Sequence, residues 1–575
     1  MNRPPPAAGW RRVWRTAWKS AAVVAAAGAV YIAVTLPPPT LRLPGELPRT
    51  EVAGGYHIHT VRSDGSGTVD EVAAAAARAG LSFIIVTDHG DARRRPDPPD
   101  YKSGVLYIDA VEVGTTGGHI VALRLTGPAP YPLGGSPRDV LDDIHRLGGV
   151  AIIAHPDSAT VGLSYRGPAS GFEGIEWLNL DSEWRDKASA MLLETALHYL
   201  IRPPESVASL LRRPSRTLAR WDAESLTRPV FGLAALDAHA RVGWRTRVEP
   251  RTGPGINRPT YEAMFRALAQ VVVLDAPLSG TAAVDASSVL NAIRLGHSFS
   301  VIRGLAGPAS LEFTVRQGTA VATMGDRLGV SADATTFHAV VSPEAAARVV
   351  LLCDGRELAE GRGTVDYSAP TSPGVYRIEA WLPNTSVPWI VSNPITVATT
   401  PAPIAAPDDE AFEATAVLLD TTAWRVEHQA SSTGQLAEVA GGLQFDFRLG
   451  PGQPAAQYAA LVTSFPVDQG VRRVRFTARA DQPMRVSVQL RQAASAGAGR
   501  WRRSVYVDAT SRSFVLPVSD FEPVETTTPG SPGARGAWGA MTAADIDSLL
   551  FVVDTVNTPP GTPGTLRISQ VAIER

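Results

Sequence analysis

The amino-acid sequence predicts a multi-domain protein in which one N-terminal membrane helix precedes an α/β domain and two all-β sandwich domains. Its 575 residues exceed what a single hydrophobic core usually organises. Over residues 52–304, short apolar runs rich in β-branched residues alternate with helical patterns, which indicates strands joined by crossover helices. Beyond this part the helical periodicity fades, and turn residues separate strand-like runs.

Residues 1–40 are expected to form a cytoplasmic tail and a signal anchor. A basic stretch precedes an uncharged run at about 20–36, which we expect to span the membrane. Because a positive flank stays in the cytoplasm, the bulk of the chain should lie in the periplasm or outside a bacterial cell. Two alternatives stay open: a cleaved signal that leaves a secreted protein, and an alanine-rich soluble helix.

The clearest unit of the α/β domain begins with a strand at residues 56–59. Thr68 and Glu71 form a capping box at the start of the alanine-rich helix that follows, and Gly80 ends this helix. A second buried strand follows at residues 81–86. Both strands run into polar side chains of the kinds that bind metals.

The C-terminal half is predicted to form two sandwiches. Strand-like runs such as 348–353 and 375–381 indicate a small Ig-like β-sandwich at 309–399. A linker of Pro, Ala and Thr leads to a jelly-roll-like sandwich at 408–575. Its aromatic residues allow two interpretations, a sugar-stacking platform like those of carbohydrate-binding modules or ordinary core packing. These residues are Trp424, Tyr458, Trp501 and Trp538.

Composition excludes several classes of function. The chain has 54 basic and 56 acidic residues, and this balance gives no electrostatic footprint for a nucleic acid. Cys353 is the sole cysteine, so intrachain disulfides and cysteine-based zinc sites are excluded.

Histidines and carboxylates recur where the predicted strands of the α/β domain end. His57 and His59 lie two apart in a predicted strand, so their imidazoles should project from one face, and Asp237 with His239 repeats this spacing. The full set of candidate metal ligands is His57, His59, Asp64, His89, Glu112, His119, His155, Asp237 and His239.

In a closed α/β barrel, the carboxyl ends of successive strands meet at one mouth, which would bring these ligands together. Nine donors are too many for one tetrahedral site and suit two or three ions that share a bridging carboxylate. Closely spaced cations neutralise phosphoryl oxygens and lower the pKa of bound water from about 15.7 toward about 7. The pattern therefore favours phosphoester hydrolysis.

The ordered motifs resemble the PHP (polymerase and histidinol phosphatase) family. They are His57-Ile58-His59, Ser63-Asp64-Gly65, Thr87-Asp88-His89, Glu112 with His119, Ala154-His155-Pro156 and Asp237-Ala238-His239. The resemblance covers about residues 52–304 and implies a distorted (β/α)7 barrel with a trinuclear site. It assigns His57, His59, Glu112 and Asp237 to the first metal, Glu112, His119 and His155 to the second, and Asp64, His89 and His239 to the third.

An insertion at 181–229 is expected to cap this barrel. It contains Trp184, Arg185, His198 and Trp221, which could bracket a phosphate or a sugar, although packing is the favoured interpretation. Arg62 lies between two ligands and is the better phosphate-binding candidate, with a solvated loop charge as its alternative. Four remaining histidines are interpreted as structural, namely His145, His297, His338 and His428.

The leading hypothesis is an exported, metal-dependent phosphatase or phosphodiesterase in which activated hydroxide attacks phosphorus at a di- or trinuclear site. The expected catalytic residues are Asp64, Glu112, Asp237 and Arg62. The expected cofactors are two or three manganese, zinc or iron ions, and the expected partners are a small phosphorylated substrate, a glycan or lipid headgroup, and the membrane. Two rival functions remain: hydrolysis of an amide or lactone, and glycan binding by a surface protein with a degenerate barrel.

Overall fold

The computed structural model describes residues 8–574 except 161, 244–254, 332, 344–346, 371, 399–413, 418–420, 453–456, 467–469, 493–498 and 525–542. The predicted linker, residues 399–407, lies outside the described residues. The helices are α1 (Ala8–Thr35), α2 (Val69–Arg78), α3 (Pro137–Arg146), α4 (Leu180–Arg185), α5 (Ser189–Tyr199), α6 (Pro203–Ala208), α7 (Ser215–Thr227), α8 (Tyr261–Ala267) and α9 (Ala282–Leu295).

Helix α1 contains an apolar stretch, Thr16–Thr35, that is long and apolar enough to cross a membrane or to act as a signal. None of this stretch is buried against the rest of the chain. The helix begins well before the predicted span and ends one residue earlier, at Thr35.

The strands of the α/β region are β1 (Leu41–Arg42), β2 (Glu51–Tyr56), β3 (Phe83–Val86), β4 (Asp100–Lys102), β5 (Val105–Asp109), β6 (Val111–Thr115), β7 (Gly118–Leu123), β8 (Val150–Ile153), β9 (Gly174–Asn179), β10 (Phe231–Ala235), β11 (Val242–Gly243), β12 (Gly255–Ile256), β13 (Ala269–Val273), β14 (Ser298–Val301) and β15 (Ala306–Gly307). One sheet has the order β10-β9-β8-β7-β6, and a second includes β14-β13-β2-β3-β5-β4.

The two sheets meet at the ends that bear the candidate ligands. Isolated parallel bridges join Ile58 to Ala238 and His89 to Glu112. Within the described residues the strands form two large sheets and two two-stranded ones rather than one continuous wall, so the distorted (β/α)7 barrel stays a prediction. The bridges nevertheless bring the carboxyl ends of β2, β3 and β10 to one place, next to β6.

Helix α2 follows the local sequence rules closely. The side chain of Thr68 accepts a hydrogen bond from the backbone N–H of Glu71, and the Glu71 carboxylate accepts one from the backbone N–H of Thr68. Gly80 follows the helix at a φ of 70°, which a residue without Cβ adopts at little cost. The predicted capping box and helix stop are both confirmed.

The next strands are β16 (Ser310–Gln317), β17 (Ala320–Thr323), β18 (Arg327–Gly329), β19 (Ala334–Ser342), β20 (Arg348–Cys353), β21 (Arg356–Arg362), β22 (Thr364–Pro370), β23 (Gly374–Trp381), β24 (Ile390–Ser392) and β25 (Ile395–Ala398). Strands β17-β16-β19-β22 form a separate sheet. Strand β24 pairs with β14, so the sheet of the α/β region continues into this part of the chain. The two regions also share one apolar core.

The last strands are β26 (Ala414–Val417), β27 (Trp424–His428), β28 (Thr433–Val439), β29 (Gly442–Arg448), β30 (Tyr458–Ser464), β31 (Arg473–Ala480), β32 (Met484–Gln492), β33 (Arg500–Val507), β34 (Arg512–Pro517), β35 (Glu522–Pro523), β36 (Ile546–Asp554) and β37 (Pro563–Glu574). They form two antiparallel sheets of six strands that enclose a separate core. Arg485 of β32 contacts Asp139 and Asp143 of α3, which joins this sandwich to the α/β region.

Candidate metal centre

The structure brings all nine candidate ligands into one cluster. His57, His59 and Asp64 follow β2, His89 follows β3, Glu112 and His119 lie in β6 and β7, His155 follows β8, and Asp237 and His239 follow β10. Most of these side chains are buried. The side chains of His89 and His119 are the most exposed, at 21% and 13%, so solvent reaches the cluster from their side.

The way in which His57 and His59 converge differs from the sequence prediction. Strand β2 ends at Tyr56, and His57 has a φ of 63°, so strand alternation does not align the two imidazoles. Asp237 and His155 also have positive φ values, 47° and 30°. Left-handed backbone at residues other than glycine is strained, and such strain clusters at functional sites. Here it turns each side chain inward directly after a strand.

The first ligand group brings two imidazoles close to two carboxylates. His57 Nε2 lies 3.1 Å from His59 Nε2, 3.2 Å from Glu112 Oε2 and 3.5 Å from Asp237 Oδ1. His59 Nε2 lies 3.3 Å from each of the same two oxygens. Bonds of about 2.0–2.1 Å to a tetrahedral zinc place ligand atoms about 3.3 Å apart. His57, His59 and Glu112 offer ligand atoms within 4.8 Å of one another, so these three side chains could hold one cation, and Asp237 lies beside both imidazoles.

Glu112 lies between two sets of imidazoles. Its Oε2 lies 3.2 Å from His57 Nε2 and 3.1 Å from His89 Nδ1. Its Oε1 lies 2.9 Å from His119 Nδ1 and 3.0 Å from His155 Nε2. A carboxylate whose two oxygens face different groups can bridge neighbouring cations.

Asp64 gathers a third group of imidazoles. His239 Nε2 lies 3.1 Å from Asp64 Oδ2, and His89 Nε2 lies 3.8 Å from Asp64 Oδ1. His59 also faces this group, since its Nδ1 lies 3.6 Å from Asp64 Oδ1. These four residues offer ligand atoms within 4.8 Å of one another, which adds His59 to the expected set.

The charges within the cluster suit cations. Asp64 Oδ2 lies 3.1 Å from His239 Nε2, and Glu112 Oε2 lies 3.1 Å from His89 Nδ1, so both buried oxygens face imidazole nitrogens. Burial raises the pKa of Asp64, but hydrogen bonding and charge from His239 outweigh it and lower that pKa to about 2. Burial lowers the pKa of His155, but Glu112 raises it to about 9. Without bound metal the cluster therefore holds protons, and coordinated cations would replace these protons.

Glu176 orients two ligands, and sequence reasoning missed it. Its Oε1 lies 2.5 Å from His57 Nδ1, and its Oε2 accepts hydrogen bonds from the backbone N–H of His155 and from Asn179 Nδ2. An outer carboxylate on Nδ1 fixes the ring so that Nε2 faces the metal. A lone acidic residue at a buried position of the apolar strand β9 was the signal available in the sequence.

Asp88 holds the loop that carries Asp64. Its carboxylate accepts hydrogen bonds from the backbone N–H and the hydroxyl of Thr60, both at 2.7 Å, and from Ser63 Oγ at 2.6 Å. Asp88 therefore positions the loop after His59 and is not itself among the ligand groups.

Helix α4 contributes a further carboxylate. Asp181 offers an oxygen within 4.8 Å of ligand atoms of Asp237 and His239. It accepts hydrogen bonds from Trp184 Nε1 at 2.6 Å and from Arg185 Nε at 2.5 Å. Trp184 and Arg185 thus contact a carboxylate at the edge of the cluster.

The other two cap residues pack as expected. Trp221 is buried and donates to the carbonyl of Val230, and His198 is buried with its Nε2 2.9 Å from Thr35 Oγ1. They lie in contacts with the protein rather than in the ligand cluster.

Arg62 lies beside the cluster with its guanidinium already engaged. It donates to Tyr107 Oη at 2.9 Å and to Asp97 Oδ2 at 2.6 Å. Arg62 and His89 line the same cavity of about 110 Å³. The arginine is therefore close to the site and is held by two protein groups.

The residues outside the cluster divide clearly. His145, His297 and His338 pair with single carboxylates, and His428 contacts a backbone carbonyl. Trp424 and Trp501 are buried in the core of the last sandwich, so core packing is the interpretation that holds for these two. Tyr458 is half-buried, and Trp538 lies outside the described residues.

No family model and no curated protein matches the sequence. Among solved structures, the chain is similar to a two-domain protein from Bacteroides vulgatus that contains a predicted PHP-like metal-dependent phosphoesterase. The identity is 13%, the match covers 62% of this chain and 99% of that chain, and the TM-score is 0.31.

The chain is also similar to carbohydrate-binding modules. One is a family 11 module from Clostridium thermocellum in complex with a β-1,3-1,4-mixed-linked tetrasaccharide, at 15% identity over 28% of this chain and 93% of that chain, with a TM-score of 0.23. Another is the family 11 module of cellulase Lic26A-Cel5E from the same organism, at 17% identity over 28% and 92%, with a TM-score of 0.22.

Proposed function

We propose that this chain is a metal-dependent phosphoesterase that hydrolyses a phosphomonoester or a phosphodiester at a site for two or three divalent cations. The observation that supports this most directly is the position of Glu112, whose two oxygens face separate imidazole groups. One structural ion would need only four ligands, whereas nine are assembled here.

The residues of the site would have different roles. His57, His59, Glu112 and Asp237 would hold one cation, and the remaining ligands would hold its neighbours. Cations bound there would activate water and neutralise charge on the phosphoryl oxygens. Glu176 fixes the orientation of the His57 ring. Burial of most of the cluster excludes bulk water, which strengthens electrostatic interactions inside the site.

Arg62 is proposed to bind a phosphoryl oxygen at the exposed side of the site. Its guanidinium is about one-third exposed and shares a cavity with His89, the most exposed ligand. A planar guanidinium can release its hydrogen bonds to neutral or charged acceptors in the protein and donate to two oxygens of the substrate instead.

The proposed location is the outer face of a bacterial cytoplasmic membrane. Helix α1 supplies an apolar stretch of spanning length, and basic residues precede it in the sequence.

The test combines metal analysis with hydrolysis assays. The full chain, His57→Ala and Asp237→Ala would be compared on p-nitrophenyl phosphate and bis(p-nitrophenyl) phosphate with added manganese. We expect both variants to lose bound metal and activity, while His338→Ala, which changes an exposed histidine outside the cluster, keeps both. Equal rates in all four proteins would refute the proposal.

The same assay addresses the rival chemistry. An amide and a lactone offered to the metal-loaded enzyme would report hydrolysis of other bonds. Turnover of these substrates, with none of either phosphoester, would keep the metal site and replace the proposed reaction.

A further inference from the structure

Helix α5 of the cap carries an exposed apolar stripe, formed by Leu193, Leu197, Leu200 and Ile201. Their exposed fractions are 66%, 41%, 80% and 56%. The spacing of four, seven and eight residues places them on one face of a helix. Leu200 has helical backbone angles, and the N–H of Ile201 donates to the carbonyl of His198, so the helical turn continues through the stripe.

The stripe is unusual because its four exposed apolar side chains lie close together. Outside α1, other exposed apolar side chains of the described residues, such as Leu226, Val284 and Leu358, are far apart in the sequence. Isolated exposed apolar residues are normal on a soluble surface, whereas a contiguous patch marks contact with a partner or a membrane.

The stripe borders the end of α1. Tyr31 donates to Glu194 Oε1 at 3.2 Å, and Thr35 Oγ1 lies 2.9 Å from His198 Nε2. Glu194 and His198 directly follow two stripe residues in α5, so the row that contacts α1 is adjacent to the exposed row. The stripe therefore lies next to the row of α5 that contacts the end of α1.

The contacts also define where α5 lies along the axis of α1. Thr35 is the last residue of the stretch Thr16–Thr35, and Tyr31 lies about 6 Å earlier along the helix axis. Arg202 donates to the carbonyl of Pro37, and Thr40 Oγ1 donates to Glu205 Oε1 at 2.9 Å. If α1 crosses a bilayer, these contacts hold α5 at the level where the span leaves the hydrocarbon.

We propose that the exposed apolar stripe inserts into the interfacial layer of the lipid bilayer that α1 crosses. Amphipathic helices lie in this layer with their apolar face about 5–10 Å deep. Four apolar side chains bind lipid weakly alone, but α1 makes their insertion intramolecular and so raises their effective concentration. The cap is thereby a second membrane contact that limits rotation of the α/β region about α1.

Because Cys353 is the sole cysteine of the chain, its replacement leaves an introduced cysteine as the single site for labelling. In the full chain with Cys353→Ala, Leu197→Cys would carry an NBD fluorophore, and the protein would be placed in nanodiscs of phosphatidylcholine and phosphatidylglycerol that each hold one copy. The matched control is Leu295→Cys in α9, because Leu295 is 42% exposed and Leu197 is 41%. Leu193→Cys is the second stripe variant.

We expect iodide to quench the stripe probes at least about threefold less than the control probe, and doxyl-labelled lipid to quench only the stripe probes. Equal iodide quenching at all positions would overturn the proposal. Protection from iodide without quenching by doxyl lipid would also overturn it, because a protein segment would then cover the stripe. Single-copy nanodiscs exclude a second chain as that cover.

Discussion

Two buried clusters of charged side chains differ in how their charges are balanced. In the metal-ligand cluster, Glu112 is surrounded by several imidazoles, which carry a positive charge only when they are protonated. In the interdomain ion network, Arg485 Nε donates to Asp143 Oδ2 at 2.7 Å, and Arg503 Nη1 donates to Asp139 Oδ1 at 3.1 Å. The arginine side chains, which are always charged, balance the carboxylates of the interdomain ion network. The carboxylates of the metal-ligand cluster are balanced only when the cluster holds protons or metal ions.

This difference separates a structural role from a functional one. The network contains its own positive charges, so it needs no ligand, and breaking it should affect stability alone. The metal-ligand cluster holds groups that can exchange protons for cations, so changing it should affect metal binding and hydrolysis. Burial of charge does not by itself identify a site, since both clusters are buried.

The largest effect is expected from Arg485→Ala. Loss of this guanidinium leaves Asp139 and Asp143 buried with too little positive charge, which costs about 3–5 kcal/mol in the free energy of unfolding. Urea denaturation measures this change, and activity per folded molecule should not change. The control is Arg479→Ala on strand β31 of the other sheet, because Arg479 is exposed and its loss should shift stability by about 0.5 kcal/mol or less. Equal losses in both variants would contradict a structural role for the network.

Glu112→Gln should reduce kcat/KM by about two to three orders of magnitude while the fold is retained. The amide keeps the shape of the carboxylate but cannot neutralise cations on both sides. Metal content by mass spectrometry should fall together with activity, whereas the exposed Glu360→Gln should leave both unchanged. Full metal content in Glu112→Gln would show that this residue is not a bridging ligand.

Glu176→Gln should weaken metal binding about 10–100-fold, because His57 loses the carboxylate that orients its ring. Competition with a chelator measures this affinity directly, independently of turnover. An unchanged affinity would mean that packing alone holds His57.

Arg62→Ala should raise KM about tenfold and change kcat little, as expected for loss of one charge-assisted contact with the substrate. Arg62→Lys should recover part of the affinity, because it keeps the charge but not the planar fork. A fall in kcat at constant KM would instead assign Arg62 to holding the loop through Asp97 and Tyr107.

The smallest signal is proton release on metal binding. The pKa of His155 is about 9 in the metal-free cluster, so this group is protonated at pH 7 and must lose its proton to coordinate a cation. Manganese titrations in two buffers of different ionisation enthalpy should reveal release of about one proton or more, and metal affinity should rise with pH up to about 9. Heats that do not depend on the buffer would contradict this assignment.

Much of the site could be predicted from local patterns. The nine candidate ligands could be selected because their residue types recur in order where strands end, and the structure brings them together; the capping box of α2 follows from Thr68 and Glu71 alone. Glu176 was not recognisable, since a single glutamate within an apolar strand does not reveal its partner 119 positions earlier. Trp424 and Trp501 were ambiguous, because aromatic residues suit both a core and a binding platform.

The sequence by itself determined the order of regions, the apolar N-terminal stretch and the ligand types, because these depend on local composition and periodicity. Only the tertiary structure decided that the sheet continues through β14 and β24, that Arg485 meets α3, and that left-handed backbone turns His57 and Asp237 inward. These features depend on contacts between residues far apart in the chain, and their free energies are set by burial and charge pairing that arise only after folding.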